Sequence, residues 1–310
     1  MTKVAIITRT KDRPLLLGRA LESVLAQTFT EWHHVVVNDG GDPAAVERLC
    51  DAQRERYGNR LTIVHHARSQ GMEAASNAGM RASSSTWAVI HDDDDSWRPT
   101  FLEECVAFLE SPSRPPSVRG VVTHSDRVFE VIEGDSVRQL SVEPFNHWLE
   151  SITLFRLAAN NPFPPISFVF SREAWGEVGL FREDLPVLGD WDFHLRFVSR
   201  YDVGVIARPL ANYHHRPSAT GSYGNTIFDG IALHRLHEAR LRNELLRRDL
   251  SSGRVGLGVM VNVAAAIEEA RLAAVLSGPN PGPLGRIRRR AEELSQLARR
   301  VVAALAKPGQ

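Results

Sequence analysis

Apolar residues recur along the first hundred positions in short runs that alternate with longer stretches of helical period. Val4–Thr8 is a β-branched run of strand type, and Leu17, Leu21, Val24 and Leu25 then fall on one helical face. Asp12-Arg13-Pro14 opens that helix, with Asp12 placed to cap it and Pro14 suited to its first turn. His33–Asn38 reads as the next strand and ends in the sharp turn Asp39-Gly40-Gly41. A helix over Ala44–Tyr57, a strand over Leu61–His65 and a helix over Ala74–Ala82 lead to a buried strand at Trp87-Ala88-Val89-Ile90. Strand and helix alternating at this spacing predict βαβ units, an α/β fold with a mainly parallel central sheet.

The rhythm loosens afterwards. Val118–Val131 reads as extended, Ser167–Ser171 as a strand and Arg172–Val178 as a short helix. Trp191, Leu195 and Val198 share one face of a helix that begins near Gly189-Asp190, and Val203–Ile206 is the last predicted strand. From Phe228 the pattern is helical, broken at Ser251-Ser252-Gly253 and at Ser277–Gly285. The chain therefore divides into an α/β domain over 1–225 and a helical extension over 226–310.

Composition changes this picture little. With 310 residues, 43% apolar and 24% charged, the chain has ordinary globular values, which exclude a disordered protein. The net charge of zero hides an asymmetry, since residues 230–310 hold 14 Lys+Arg against 7 Asp+Glu. Cys50 and Cys105 lack zinc-site spacing and are too sparse for a disulfide framework, so free buried thiols are expected. The apolar start is too short for a signal peptide, and Val255–Ile267 is too short to span a bilayer. A cytoplasmic protein follows as the expectation. Within the tail, Leu284, Ile287, Ala291, Leu294, Leu297, Val301 and Leu305 form an apolar stripe with arginines around it. Such a helix serves packing, self-association as a homo-oligomer, or peripheral contact of residues 284–306 with an anionic membrane. No reader motif or aromatic platform accompanies the arginines, which argues against nucleic acid.

The chemistry concentrates in Asp92-Asp93-Asp94-Asp95, placed directly after the predicted strand and before Ser96-Trp97-Arg98-Pro99. Open α/β sheets bind ligands at the carboxyl ends of their strands. Four adjacent carboxylates repel unless something neutralises them, and a hard cation such as Mg²⁺ or Mn²⁺ prefers one or two carboxylates plus phosphate oxygens. The alternative for such a quartet is a solvated acidic loop.

Taken with Thr8-Arg9-Thr10-Lys11-Asp12-Arg13, Ala20–Thr28, Val37-Asn38-Asp39-Gly40, Asn77-Ala78-Gly79-Met80 and Gly189–Arg196, the quartet resembles the inverting family 2 glycosyltransferases of the GT-A fold. The resemblance runs from Val4 to Ser222. It implies transfer of a sugar from a nucleotide-diphosphate donor to an acceptor hydroxyl on a saccharide, lipid-linked or other molecule, in polysaccharide, glycolipid or glycoconjugate assembly. It implies donor contacts at Thr8, Asp12, Arg13, Asp39, Asn77, Asp92 and Asp93, although the D-x-D alternation turns Asp93 away. A divalent cation (Mn²⁺ or Mg²⁺) is implied at Asp92 and Asp94, with Asp95 and His215 as further ligands, and Asp190 aligns with the general base. Asp192 lies four residues before Arg196, the spacing of a helical ion pair. Two departures stand out, Gly189 where the family often has an acidic residue and Ser76 where it often has arginine. A sugar-1-phosphate nucleotidylyltransferase is the rival enzyme, but residues 8–14 lack its glycine run; an inactive nucleotide- or carbohydrate-binding protein is the rival of another class.

Overall fold

The computed structural model describes residues 2–219, 221–224 and 230–277. Its centre is one nine-stranded sheet, built from β1 (Val4–Thr10), β2 (Trp32–Asp39), β3 (Leu61–His66), β4 (Trp87–Asp92), β5 (Ser96–Trp97), β6 (Val118–Glu133), β7 (Ser136–Pro144), β8 (Phe168–Ser171) and β9 (Asp202–His215). The order is β3-β2-β1-β4-β8-β6-β9-β5, with β7 pairing antiparallel to the second half of β6. The first four strands are parallel, as predicted. Beyond β4 the sheet is mixed: β8 runs antiparallel to β4 and β6, while β9 is parallel to β6.

Period-two alternation sorts the strand side chains onto two faces. Ala5, Ile7, Val35, Val37, Ala88 and Ile90 enter one core, and Val4, Ile6, Val36, Trp87 and Val89 enter the other. The second face is covered by α1 (Pro14–Leu25), α2 (Pro43–Asp51) and α5 (Phe101–Leu109), through Leu17, Leu21, Val46, Phe101 and Cys105. The first is covered by α4 (Met72–Arg81), α6 (Leu154–Ala159), α7 (Arg172–Val178) and α8 (Gly189–Val198). The helical extension, α9 (Ile231–Ser252) and α10 (Leu257–Ser277), packs on this same face and adds Leu241, Leu245, Val261 and Ala264 to its core. Arg242 fastens it, donating to the carbonyls of Ala158 (3.1 Å) and Ala159 (2.9 Å) at the end of α6.

Several local expectations change. The helix expected over Ala44–Tyr57 is two pieces, α2 and the single turn α3 (Arg54–Tyr57), and Asp42 caps α2 by accepting the Ala44 N–H at 3.0 Å. Asp12 does not cap α1. It adopts φ +53, and its carboxylate instead accepts the Asp42 N–H at 3.0 Å, tying the first two strand ends together. The strand expected over Val203–Ile206 extends to His215, so Tyr213, His214 and His215 belong to β9 itself. Both cysteines are free and buried. The tail stripe over 284–306 lies outside the described residues. Among those residues no helix is long and apolar enough to cross a membrane.

Candidate active site

The loops leaving β1, β2 and β4 converge on one cleft of about 830 Å³, closed by the carboxyl end of β9 and by the segments after α6 and before α8. This is the carboxyl edge of the parallel half of the sheet, and the volume is that of a ligand site. Arg9, Asp12, Arg13, Asp39, the four aspartates, Asp190 and His215 all line it.

Each member of the quartet has its own partner, and for Asp92, Asp93 and Asp94 that partner includes an arginine. Asp92 accepts from Arg9 Nε at 2.7 Å. Asp93 accepts from Thr10 Oγ1 at 2.7 Å and from Arg13 at 3.2 Å. Asp94 pairs with Arg216 and lies 3.6 Å from Arg13. Asp95 accepts the His214 N–H at 2.8 Å, while its Oδ2 is buried with no hydrogen-bond partner. Burial raises the Asp93 carboxyl to about 6 against the pull of Arg13, with Asp94 adding to the rise. Burial opposes ionisation of Asp94 too, but Arg216 and Arg13 outweigh it and hold that carboxyl below its ordinary range. Asp95, buried beside Asp94 and Asp92, is pushed well above it. Asp94, held by cations, thus sits between two carboxyls, Asp93 and Asp95, that resist ionisation.

Behind the quartet, Glu130 on β6 binds Arg19 (2.7 Å), His214 Nδ1 (2.7 Å) and Arg216 (2.6 Å). Burial alone would raise it, yet these partners bring it down to about 2. The sequence reading missed Glu130. Its signal was parity, since Asp126, Val128 and Glu130 alternate along one buried face of β6.

The donor-side expectations divide. Arg13, Asp12, Asp92 and Asp93 reach the cleft. Thr8 does not: it is buried inside the sheet, its hydroxyl 2.8 Å from His34 Nε2. Asn77 does not either. It is buried under the loop before α8, donating to the Phe181 carbonyl (2.9 Å) and to Glu183 (2.8 Å), and accepting the Phe181 N–H at 3.0 Å. Thr8 sits next to Arg9, which reaches the cleft, and the strand period turns it inward, whereas no residue of Asn77-Ala78-Gly79-Met80 lines the cleft. Asp39 reaches the cleft wall with both oxygens engaged, by His66 Nδ1 (2.7 Å), Ser69 Oγ (2.7 Å), Gln70 N–H (2.8 Å) and Gly71 N–H (3.0 Å). It anchors the loop from β3 to α4. Gly40 allows the approach, with φ +79 and a position at which a Cβ would lie 2.2 Å from Ser69 N.

Asp190 lies in the first turn of α8, after Leu188 at φ +66. Asn161 Nδ2 donates to its Oδ2 at 2.8 Å. Burial raises the Asp190 carboxyl, opposed by the Trp191 N–H and Arg9. Asp192 makes the expected pair with Arg196, at 2.8 Å, and points away from the cleft into the protein. Cleft residues that escaped the sequence reading include Asn161, Glu73 from α4 and His234 from α9. His215 lines the cleft and is lowered to about 4, chiefly by burial and then by Arg127.

Among the described residues no group of three or more His, Cys, Asp or Glu is arranged to hold a metal by itself. A cation carried by substrate phosphates needs only one or two carboxylates, and Asp92 and Asp94 meet that requirement at the cleft wall. The residues therefore fit a cation that arrives with a diphosphate. A second hollow of about 620 Å³ lies at the opposite edge of the sheet around Trp87 and Trp175. Two of its arginines, Arg114 and Arg172, are already committed to backbone carbonyls.

A mixed α/β sheet with a cleft at its strand ends, walled by an acidic quartet and a separate buried carboxylate, is of the GT-A type. The chain belongs to glycosyl transferase family 2, whose family model matches residues 5–183, and it is a glycosyltransferase. It is 24% identical over 205 residues to the uncharacterized glycosyltransferase YwdF of Bacillus subtilis, covering 65% of this chain and 70% of YwdF. It is 28% identical over 203 residues to the putative colanic acid biosynthesis glycosyl transferase WcaA of Escherichia coli, covering 64% of this chain and 67% of WcaA. Some other curated relatives are matched over less than two thirds of their length. Among solved structures, the mannosyltransferase PcManGT of Pyrobaculum calidifontis in complex with GDP-Man and Mn²⁺ aligns with a TM-score of 0.55 and 19% identity. That alignment covers 99% of this chain and 81% of PcManGT.

Proposed function

We propose that this protein transfers a sugar from a nucleoside-diphosphate donor to an acceptor hydroxyl, with inversion at the anomeric carbon and dependence on a divalent cation. The observation that carries the reading is the shared cleft: the quartet and Asp190 line it from different elements, and Asn161 holds Asp190. The nucleotide diphosphate of the donor lies towards the quartet, with Asp12 and Arg13 at its side. Asp92 and Asp94 would hold the cation, with Asp95 and His215 as nearby groups, and a bound cation would supply charge stabilisation to the leaving diphosphate. Arg9, Arg13 and Arg216 keep the aspartates from repelling one another before the donor arrives. Asp190 takes the proton of the acceptor hydroxyl as its oxygen bonds to the anomeric carbon. The bond from that carbon to the diphosphate breaks on the opposite side, and its electron pair leaves with the diphosphate. Burial suits Asp190 to this task, because a carboxylate stabilised less by solvent takes up a proton more readily.

Polysaccharide, glycolipid or glycoconjugate assembly is the setting we favour, in line with the name of WcaA. Cytoplasmic action, with residues 284–306 as a self-association or membrane-surface element, remains part of the proposal. The test is a panel of UDP-, GDP- and dTDP-sugars with Mn²⁺, followed by proton NMR of the product. One donor should raise the melting temperature and yield product of inverted configuration. Retained configuration would overturn the inverting mechanism, and binding without turnover of any donor would favour an inactive binding protein.

A further inference from the structure

Three arginines of the described residues line the cleft, and two of them are spent on the quartet: Arg9 on Asp92 at 2.7 Å and Arg13 on Asp93 at 3.2 Å. The third, Arg127 on β6, makes no ion pair among the described residues, and its Nε is buried with no hydrogen-bond partner. Glu143, its cross-strand neighbour on β7, is exposed and does not pair with it. The guanidinium rests instead over aromatic rings, 5.0 Å from the centre of Phe145 and 6.0 Å from that of Phe129. A ring face attracts a cation but uses none of its N–H donors in the way an acceptor oxygen does. Phe145 in turn meets Tyr213 of β9 edge to face at 5.5 Å, and both rings line the cleft beside Arg127. Lys11 is another cleft cation without an ion pair among the described residues, exposed on the loop that leaves β1.

We propose that Arg127 sets acceptor specificity: its guanidinium receives an anionic group, a carboxylate or a phosphate, carried by the acceptor saccharide, with Phe145 and Tyr213 as the wall beside it. This rests on the reading of the cleft as a transferase site with the nucleotide towards Asp12 and Arg13. Those two residues follow β1, whereas Arg127 and Tyr213 belong to β6 and β9, on the other side of β4 from β1 and β2. The quartet leaves β4, between the two groups. An anion at Arg127 therefore belongs to the molecule on the far side of the reacting carbon, because inversion brings the acceptor in opposite the leaving diphosphate. A guanidinium suits the task. It stays charged at every working pH, and its two terminal nitrogens match two oxygens of a carboxylate or phosphate. Seated on an aromatic face, Arg127 is held in place without a carboxylate that the substrate would have to displace.

The experiment is a saturation-transfer NMR titration of the whole chain, without metal or donor, with methyl β-glucuronide, glucose 6-phosphate and the neutral methyl β-glucoside as probes. At least one anionic probe should bind about 10-fold more tightly than the neutral one, the gain expected for hydrogen bonds between charged groups. The carboxylate and phosphate arms identify which anion is taken. Arg127→Gln should bring the anionic probe down to the level of the neutral one and leave the neutral one unchanged. Arg127→Lys should recover part of the preference, and Lys11→Gln should leave it intact. No preference for either anionic probe, a preference that survives in Arg127→Gln, or one that is lost in Lys11→Gln would overturn the proposal. Should Arg127→Gln not fold, Arg127→Met, which keeps an unbranched stem over Phe145, takes its place with the same two outcomes. UDP-glucuronate against UDP-glucose, with Mn²⁺, tests the other source of the anion. A charge preference that appears there alone, and is lost with Arg127, would put the anion on the transferred sugar and overturn the acceptor assignment. The methyl glycoside titration needs no turnover, so its failure leaves transfer to a neutral acceptor standing, and failure of transfer itself is read from the donor panel.

Discussion

Asn161 Nδ2 donates to Asp190 Oδ2 at 2.8 Å, and Asn161 Oδ1 lies 3.1 Å from His194 Nδ1. The carboxylate can only accept, so the amide must turn its NH₂ group to Asp190 and its oxygen to His194. His194 is buried and lowered to about 3, hence neutral, and its Nδ1 must carry the proton that Asn161 accepts. A buried imidazole on α8 thus sets the amide that sets the proposed base. Asn161→Ala should lower kcat about 10–100-fold, the loss expected for one hydrogen bond to a charged group, with nucleotide affinity little changed. Steady-state kinetics beside nucleotide titration checks this; an equal loss in affinity would mean that Asn161 shapes the donor site instead.

The cation reading predicts that EDTA abolishes transfer and that Mn²⁺ or Mg²⁺ restores it. Asp94→Ala should lose both turnover and the cation's enhancement of UDP or GDP binding, measured by calorimetry with and without Mn²⁺. Full activity in chelator would leave Arg13 and Arg216, the cations already at Asp94, as the neutralising groups.

Glu73 gives the fold a pH dependence of definite sign. Its ordinary value is 4.5 and burial raises it to about 7, so the folded chain holds a proton that the unfolded chain releases. The corresponding stability is complete below pH 4.5 and is lost as pH rises through 7, a difference of about 3 kcal/mol. Glu73→Gln removes this loss. Urea unfolding in EDTA should show the variant gaining about 2–3 kcal/mol on the unaltered chain between pH 5 and pH 8, and parallel curves would contradict the burial of an ionisable Glu73.

The extension shares the core of the catalytic domain through Leu241 and Leu245, both buried against the face that carries α6 and α8. Leu241→Ala should cost about 2–5 kcal/mol in the main unfolding transition, read from the urea midpoint. A change confined to a separate, earlier transition would make α9 and α10 an independent unit.

Much of this was legible because the periodicities are local. The alternation of Ile6 and Ile7 between two cores, the turn at Asp39-Gly40 and the quartet at the end of β4 all follow from a few consecutive residues. The second half of the sheet was not legible: β6, β8 and β9 pair across long separations, and nothing in Ser167–Ser171 states that it will run antiparallel to β4. Motif position was a poor guide to orientation at Thr8 and Asn77, where packing decides which way the side chain turns. Asn161 and His234 were silent because each enters from a segment with no motif of its own, and Glu73 because it precedes the Asn77 motif on α4. Glu73 left one trace in the sequence, the missing side chain at Gly189, which becomes meaningful only when α4 and α8 meet.

The claim at the centre is that Asp190 takes the acceptor proton. Asp190→Asn keeps the size of the side chain and its place in the first turn of α8 but cannot accept a proton at neutral pH. Measured with the donor and acceptor that support turnover, or with slow donor hydrolysis, kcat should fall by about 10²–10⁴-fold, with nucleotide affinity and melting temperature nearly unchanged. Near-normal turnover in this variant would contradict the account.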